Sequence, residues 1–388
     1  MNTTKIAFAT GSRADYGILR HYLRLLDADE AIEFSVLATG ALLDDRYGHA
    51  IDLIKQDGFT IDCEIDLKLD SSSDASVIRS MATALEQFGE FFESHRYDLL
   101  IILGDRYEVL SVAEAAAIHK IPILHIHGGE ATFANYDEFI RHAITKMSLY
   151  HFASTEEYRN RIIQLGEAPE RVYNLGALGA YNCTQIDCDK VLPEIKALPE
   201  KEYFVILFHP ETLSDANPLI QIHQLLGAVS RFADNYRFVF IGSNADTHSG
   251  HIRAAVRDFV DTHSDSCVYF ENVNTDSYQY LVQHSVCLIG NSSSGIIEAP
   301  SLGVYTINIG DRQKGRVRGK SVLDVICTQE AITHGIETVI RSGPQNFVNP
   351  YYQENTAQRY YETTKKLLEE LPAVIKEPKC FYDLPVIN

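Results

Sequence analysis

The segment Leu99–His142, LLIILGDRYEVLSVAEAAAIHKIPILHIHGGEATFANYDEFIRH, holds two short apolar runs, each ending in ionisable residues. Asp105, Arg106 and Glu108 follow the first run; His125, His127, Glu130, Asp137, Glu138, Arg141 and His142 lie on or after the second. Carboxylates and imidazoles gathered in one place supply general acids and bases. The apolar runs read as buried strands of an open parallel sheet, whose carboxyl ends are where ligands bind. This segment is the expected seat of the chemistry. His125-x-His127 with Glu130 and Asp137 also contains metal-ligand types, since alternate strand residues share a face. No third His is clearly placed, so the expectation is that no metal is held.

Four further loops carry binding chemistry. TGSRADYG (Thr10–Gly17) joins a strand to a helix without being G-x-G-x-x-G, so a dinucleotide fingerprint is absent. Gly11 and Ser12 permit a tight turn, and Arg13 can reach an anion near the helix N-terminus; the plain alternative is a turn with a solvated Arg. LIGNSSSGIIEAP (Leu288–Pro300) runs from a strand through small hydroxylated residues into a helix carrying Glu298, a pattern suited to phosphate oxygens. The alternative is capping, with Gly295 as N-cap and Glu298 at N3, although three serines exceed what a cap needs. FHPET (Phe208–Thr212) ends a strand in His209, and IGDRQKGRVRGK (Ile309–Lys320) packs Arg312, Lys314, Arg316, Arg318 and Lys320 into one loop. Such a run is usually a solvated face, but beside the serine loop it can clamp a diphosphate.

These loops must be positioned by an alternation of strands and helices. Strands are expected at Lys5–Thr10, Glu33–Thr39, Asp98–Leu103, Pro122–His127, Tyr150–Ser154 and Val172–Leu175, with helices between them, including one over Arg46–Asp57. A second series follows at Tyr203–Phe208, Arg237–Ile241, Cys267–Phe270, Val286–Ile289 and Val304–Asn308. The alternation implies parallel sheets covered on both faces. The expected fold class is α/β, two Rossmann-like doubly wound domains with a cleft between them. The domains are placed at 1–178 and 179–364, with a C-terminal helix, 365–388, packing back on the first.

Composition narrows the partners. The 388 residues carry 34 Lys and Arg against 53 Asp and Glu, a net charge of −19. That balance argues against nucleic acid and anionic membranes while leaving room for a small anion in a local basic pocket. The seven cysteines are scattered with no C-x-x-C pair, and the opening MNTTKIAFATGSRADYG lacks the apolar core of a signal peptide. A soluble cytoplasmic protein is expected.

Taken in order, GSRADYG, GDRYE, HIHGGE, DEFIRHAITK, FHPET, GNSSSGIIEAP and GDRQ resemble the UDP-N-acetylglucosamine 2-epimerase family, and more closely its hydrolysing, N-acetylmannosamine-forming branch of sialic acid synthesis. The resemblance spans nearly the whole chain and implies a glycosyltransferase-B-like fold. It places Arg13, Arg106 and His209 near a diphosphate, Ser292 and Ser293 on phosphate oxygens, Glu298 on ribose hydroxyls, and Asn244 and Arg312 at further nucleotide positions. Asp105 and Asp137 match catalytic acids, with Glu130 nearby. Many relatives carry a catalytic Glu where this chain has His127, so either His127 or Glu130 takes that role. The implied reaction is anti elimination of UDP from UDP-N-acetylglucosamine to a 2-acetamidoglucal, then hydration to N-acetylmannosamine. It is redox-neutral and needs no cofactor. The resemblance also implies a homodimer or homotetramer. Competing readings are the same chemistry on a UDP-2,4-diacetamido-2,4,6-trideoxyglucose for legionaminic acid, a non-hydrolysing 2-epimerase, a glycosyltransferase of the same fold, and a non-catalytic nucleotide-sugar sensor.

Overall fold

The computed structural model describes residues 3–47, 49–70, 73–132, 136–209, 217–242, 249–271 and 273–384. The chain divides into two compact units: residues up to Glu130, Tyr136–Leu178 and those from Gln353 onward form one, and Gly179–Tyr352 forms most of the other.

The first unit is built on strands β1 (Thr4–Thr10), β2 (Ile32–Thr39), β3 (Ile61–Ile65), β4 (Leu99–Leu103), β5 (Ile123–Ile126), β6 (Tyr150–Ala153) and β7 (Val172–Asn174). Their order across the sheet is β3-β2-β1-β4-β5-β6-β7, and every described pairing is parallel. The central strands are sealed on both faces, which is why they read as unbroken apolar runs rather than alternating ones. Ile6, Phe8, Leu99 and Ile101 pack into one core, and Ala7, Ala9, Leu100 and Ile102 into the other. The helix Thr356–Val374 completes the first of these cores through Tyr360, Leu367 and Leu371. The Tyr360 hydroxyl donates to the Gly176 carbonyl at 2.8 Å, and Tyr22 bonds Thr364 at 2.7 Å, so the return of the chain begins upstream of residue 365.

The second unit contains β8 (Tyr203–Leu207), β9 (Arg237–Ile241), β10 (Cys267–Phe270), β11 (Cys287–Gly290), β12 (Tyr305–Ile309) and β13 (Val322–Val325), in the order β10-β9-β8-β11-β12-β13, again parallel. Both units are thus doubly wound, as the β-α alternation predicts. Two edge strands, β3 and β13, were not expected from sequence. Both are partly exposed and interrupted by acidic residues, so neither shows a continuous apolar run. The helix expected over Arg46–Asp57 is instead a 3-10 turn at Asp45–Tyr47 and a short helix, Ile51–Gln56.

In each sheet the strand order reverses once, between β1 and β4 and between β8 and β11. Such reversals leave a crevice outside the strand ends, where open α/β sheets bind ligands.

Candidate active site

At the first reversal, Ser12 caps the helix Arg13–Asp27, its hydroxyl accepting from the Asp15 N–H at 3.2 Å. Arg13 occupies the first helical position and is exposed. Arg106 is the N-cap residue of the helix Tyr107–Ile118, and its Nε donates to Glu108, whose side chain is fully buried. The carboxylates of Glu108 and Asp15 push the Arg106 guanidinium still further toward its charged form. Burial raises the Asp15 carboxyl to about 6, against the opposing pull of Arg106.

Asp105 lies between β4 and that helix and forms an ion pair with Arg141, on the helix Asp137–Met147. Arg141 is 1% exposed. Its Nη1 also donates to the Glu130 carbonyl at 2.8 Å and to Glu138 at 3.3 Å. One guanidinium therefore ties the end of β4, the segment after β5 and the first turn of the Asp137 helix. A buried Arg with three oxygen partners is costly to leave unpaired, which makes this arrangement specific. Asp137 is the first residue of its helix and partly exposed, one turn before Arg141. Glu130 is buried, accepts from Ser154 Oγ at 2.7 Å and lies 3.6 Å from His127 Nδ1. Asp105, Glu130 and, through Glu130, His127 are thus linked around Arg141, with Asp137 at the start of the same helix. Sequence reasoning noted Arg141 without giving it a role, although its spacing of four from Asp137 puts both on one helix face.

The two histidines of HIHGG differ. His125 Nε2 donates to the Gly104 carbonyl at 2.8 Å, leaving Nδ1 to accept from Thr145 Oγ1 at 3.1 Å. Burial holds its pKa down to about 3. With both nitrogens engaged it is a neutral, structural imidazole. His127 lies past the end of β5 with φ +64°, so strand alternation does not give the two rings a common face, contrary to the shared-face expectation. A non-glycine residue held in the left-handed region is a strained position of the kind concentrated at functional sites. Among the described residues no group of three or more His, Cys, Asp or Glu is arranged to hold a metal.

At the second reversal, His209 and Asn291 lock the ends of β8 and β11 together. The His209 N–H donates to Asn291 Oδ1 and Asn291 Nδ2 donates to the His209 carbonyl, both at 2.8 Å. Burial, reinforced by Arg312, lowers the His209 pKa to about 3, so the ring is held in its neutral form. The Asn291 carbonyl accepts from Arg312 Nη1 at 3.1 Å and from Gln313 Nε2 at 3.0 Å. Gly290 has φ +149°, and a Cβ there would overlap the Leu207 carbonyl. Ser292 Oγ lies 3.0 Å from Ser294 Oγ, which lies 2.6 Å from the Tyr278 hydroxyl.

The capping alternative for this loop fails. Ser293, not Gly295, is the N-cap of the short helix Ser294–Ile297, without a side-chain cap bond, and Glu298 stands at its C-cap. Burial raises the Glu298 carboxyl to about 7, opposed by a hydrogen bond from Gln279. In the basic loop, Arg318 pairs with Asp324, and Lys314 lies 3.4 Å from Asp311, so part of its charge is met locally. Asn244 and the residues after His209 in FHPET lie outside the described residues.

The family model described as UDP-N-acetylglucosamine 2-epimerase matches residues 24–365. The "Polysialic acid biosynthesis protein P7" of Escherichia coli is 46% identical over 387 residues, 98% of each chain. The "UDP-N,N'-diacetylbacillosamine 2-epimerase (hydrolyzing)" of Legionella pneumophila is 34% identical over 366 residues, 94% of this chain and 96% of its own. The crystal structure of UDP-GlcNAc 2-epimerase from Neisseria meningitidis bound to UDP-GlcNAc superposes with a TM-score of 0.78 at 18% identity, covering 94% of this chain and 100% of that one. That likeness shows a common, glycosyltransferase-B-like fold.

Proposed function

Because this chain belongs to the UDP-N-acetylglucosamine 2-epimerase family, we propose that it is a hydrolysing 2-epimerase that converts UDP-N-acetylglucosamine and water to N-acetylmannosamine and UDP for sialic acid synthesis. The observation that carries the reading is the buried Arg141 network, which gathers Asp105, Glu130 and the Asp137 helix turn beside His127. The 46% identity to a protein named for polysialic acid biosynthesis supports the choice of product.

The C2 proton of the sugar is not adjacent to a carbonyl and is poorly acidic. Cleavage of the C1–O bond builds oxocarbenium character that makes C2–H removable, and carboxylates can stabilise that cation and move protons. A base takes the C2 proton while the C1–O electrons leave with UDP, giving a 2-acetamidoglucal. Water then adds its hydroxyl at C1, and a proton returns to C2 on the opposite face. Asp105, Asp137, Glu130 and His127 are the acid–base groups. Asp105, ion-paired to Arg141, is the form that accepts a proton. The leaving diphosphate gains charge and needs preorganised donors. Arg13, Arg106, Ser292, Ser293, His209, Asn244 and Arg312 fill that role, with Glu298 on the ribose hydroxyls. Burial raises the Glu298 carboxyl to about 7, so its protonated form can also donate.

The test is incubation of the purified protein with UDP-N-acetylglucosamine in deuterated water, followed by NMR. Free N-acetylmannosamine bearing deuterium at C2, together with UDP, is the expected result. Product without deuterium at C2 excludes the elimination route, and UDP-N-acetylmannosamine without free UDP makes the enzyme non-hydrolysing. The Legionella relative favours a second reading, the same chemistry on a UDP-2,4-diacetamido-2,4,6-trideoxy sugar. Turnover of that sugar alone would establish it.

A further inference from the structure

We propose that Glu108 is a positioning residue for Arg106, acting without touching substrate by holding the guanidinium at the reversal of the first sheet. The inference rests on the reading that Arg106 meets the diphosphate.

Glu108 follows β4 in the first turn of the helix Tyr107–Ile118 and has no exposed surface. A carboxylate with no exposed surface persists only with a compensating partner. That partner is Arg106 Nε, bonded to Oε1, while Oε2 is buried with no hydrogen-bond partner.

The backbone around the carboxylate is shaped to admit it. Gly11 follows β1, Gly40 follows β2, and the three strands lie side by side in the order β2-β1-β4. A Cβ on Gly11 would overlap the Glu108 carboxylate, and one on Gly40 would come within 3.2 Å of Oε1. The Gly11 carbonyl also accepts from the Leu42 N–H at 3.3 Å, which joins the loops after β1 and β2. One carboxylate is therefore enclosed by the carboxyl ends of three adjacent strands. Apolar packing alone would not require a charge there, nor a glycine at position 11 to make room for it.

The choice of nitrogen gives the arrangement its use. Arg presents a planar fork of donors that matches phosphate oxygens. Glu108 takes Nε at the base of that fork rather than the Nη groups, on a side chain 39% exposed.

The test measures UDP affinity by calorimetry in the wild type, Glu108→Gln, Arg106→Ala and the double variant, with thermal unfolding as the check on folding. Removing a negative charge by itself would tighten binding of an anion. Weakening by Glu108→Gln is therefore the mark of lost positioning, expected at about tenfold, the scale of one charge-assisted hydrogen bond. Arg106→Ala should weaken UDP at least as much, and Glu108→Gln should then add nothing. Gly11→Ala, which displaces the carboxylate without changing it, should reproduce the loss and serves if Glu108→Gln does not fold. Normal UDP affinity in Glu108→Gln or Gly11→Ala, or losses that add in the double variant, overturns the proposal. If Arg106→Ala itself binds UDP normally, the assignment of Arg106 to the diphosphate falls, and this proposal falls with it.

Discussion

Asp105 and Asp137 stand differently toward Arg141. Asp105 is ion-paired to the guanidinium, whereas Asp137 stands a turn away on the same helix, partly exposed. Asn at either position should cut turnover by about two orders of magnitude or more, the scale of general acid–base contributions. Only Asp105→Asn should also lower the unfolding temperature, because it leaves a buried Arg short of charge. Steady-state kinetics alongside thermal unfolding separate the two effects. His127 makes a different case, since its backbone is held at φ +64°. Glycine adopts that conformation without strain, which offsets part of its greater chain entropy and of the lost imidazole, so His127→Gly should fold within about 1 kcal/mol of the wild type while lowering turnover at least about tenfold. A folded variant that keeps full turnover would remove His127 from the chemistry.

At the scale of elements, the loops that hold functional groups are shaped by close backbone approaches at strand ends. Gly290 closes β11 where a side chain would strike the Leu207 carbonyl of the neighbouring β8. Alanine there should cost about 2 kcal/mol or more, because both φ and space are wrong for it. Chemical denaturation should show the loss in the second unit, together with weaker UDP binding, since Asn291 and the serines follow directly. Gly128 plays a comparable part beside His125, where a Cβ would come within 2.9 Å of Thr145 Oγ1 and 3.0 Å of His125 Nδ1. The strands and the glycine-bearing loops after them were legible because parallel strands buried on both faces read as apolar runs. Edge strands β3 and β13 were not, being half-exposed and broken by acids. Nor was the cap at Ser293, because Gly295 and Glu298 match the spacing of a capping box equally well.

For the whole molecule, the buried titratable groups set how stability responds to pH. His125 and His209 have pKa values lowered to about 3 by burial, and His151 is lowered for the same reason. Below their unfolded value near 6.5 the unfolded chain binds more protons than the native one, so stability falls as pH drops. Asp15 and Glu298, raised to about 6 and about 7, act oppositely: they favour the native state below their unfolded values and lose that contribution as pH rises through their folded ones. The histidine shifts are larger and more numerous. Thermal unfolding should therefore show lower stability at pH 5 than at pH 7.5, and replacing Glu298 by Gln should raise stability at pH 7.5 but not at pH 4. The sequence by itself determined the doubly wound class, the loops at the strand ends and the family, because these depend on local apolar runs and on motifs in order. Only the tertiary structure decided which ionisable groups are buried, paired or held neutral. His125 and His127 differ by two positions and the same residue type, yet one is a neutral core imidazole and the other a strained residue beside Glu130. Arg141 and Glu108 emerged only when separate strand ends met. Burial, partner and charge state belong to neighbours distant in sequence, and no spacing along the chain encodes them.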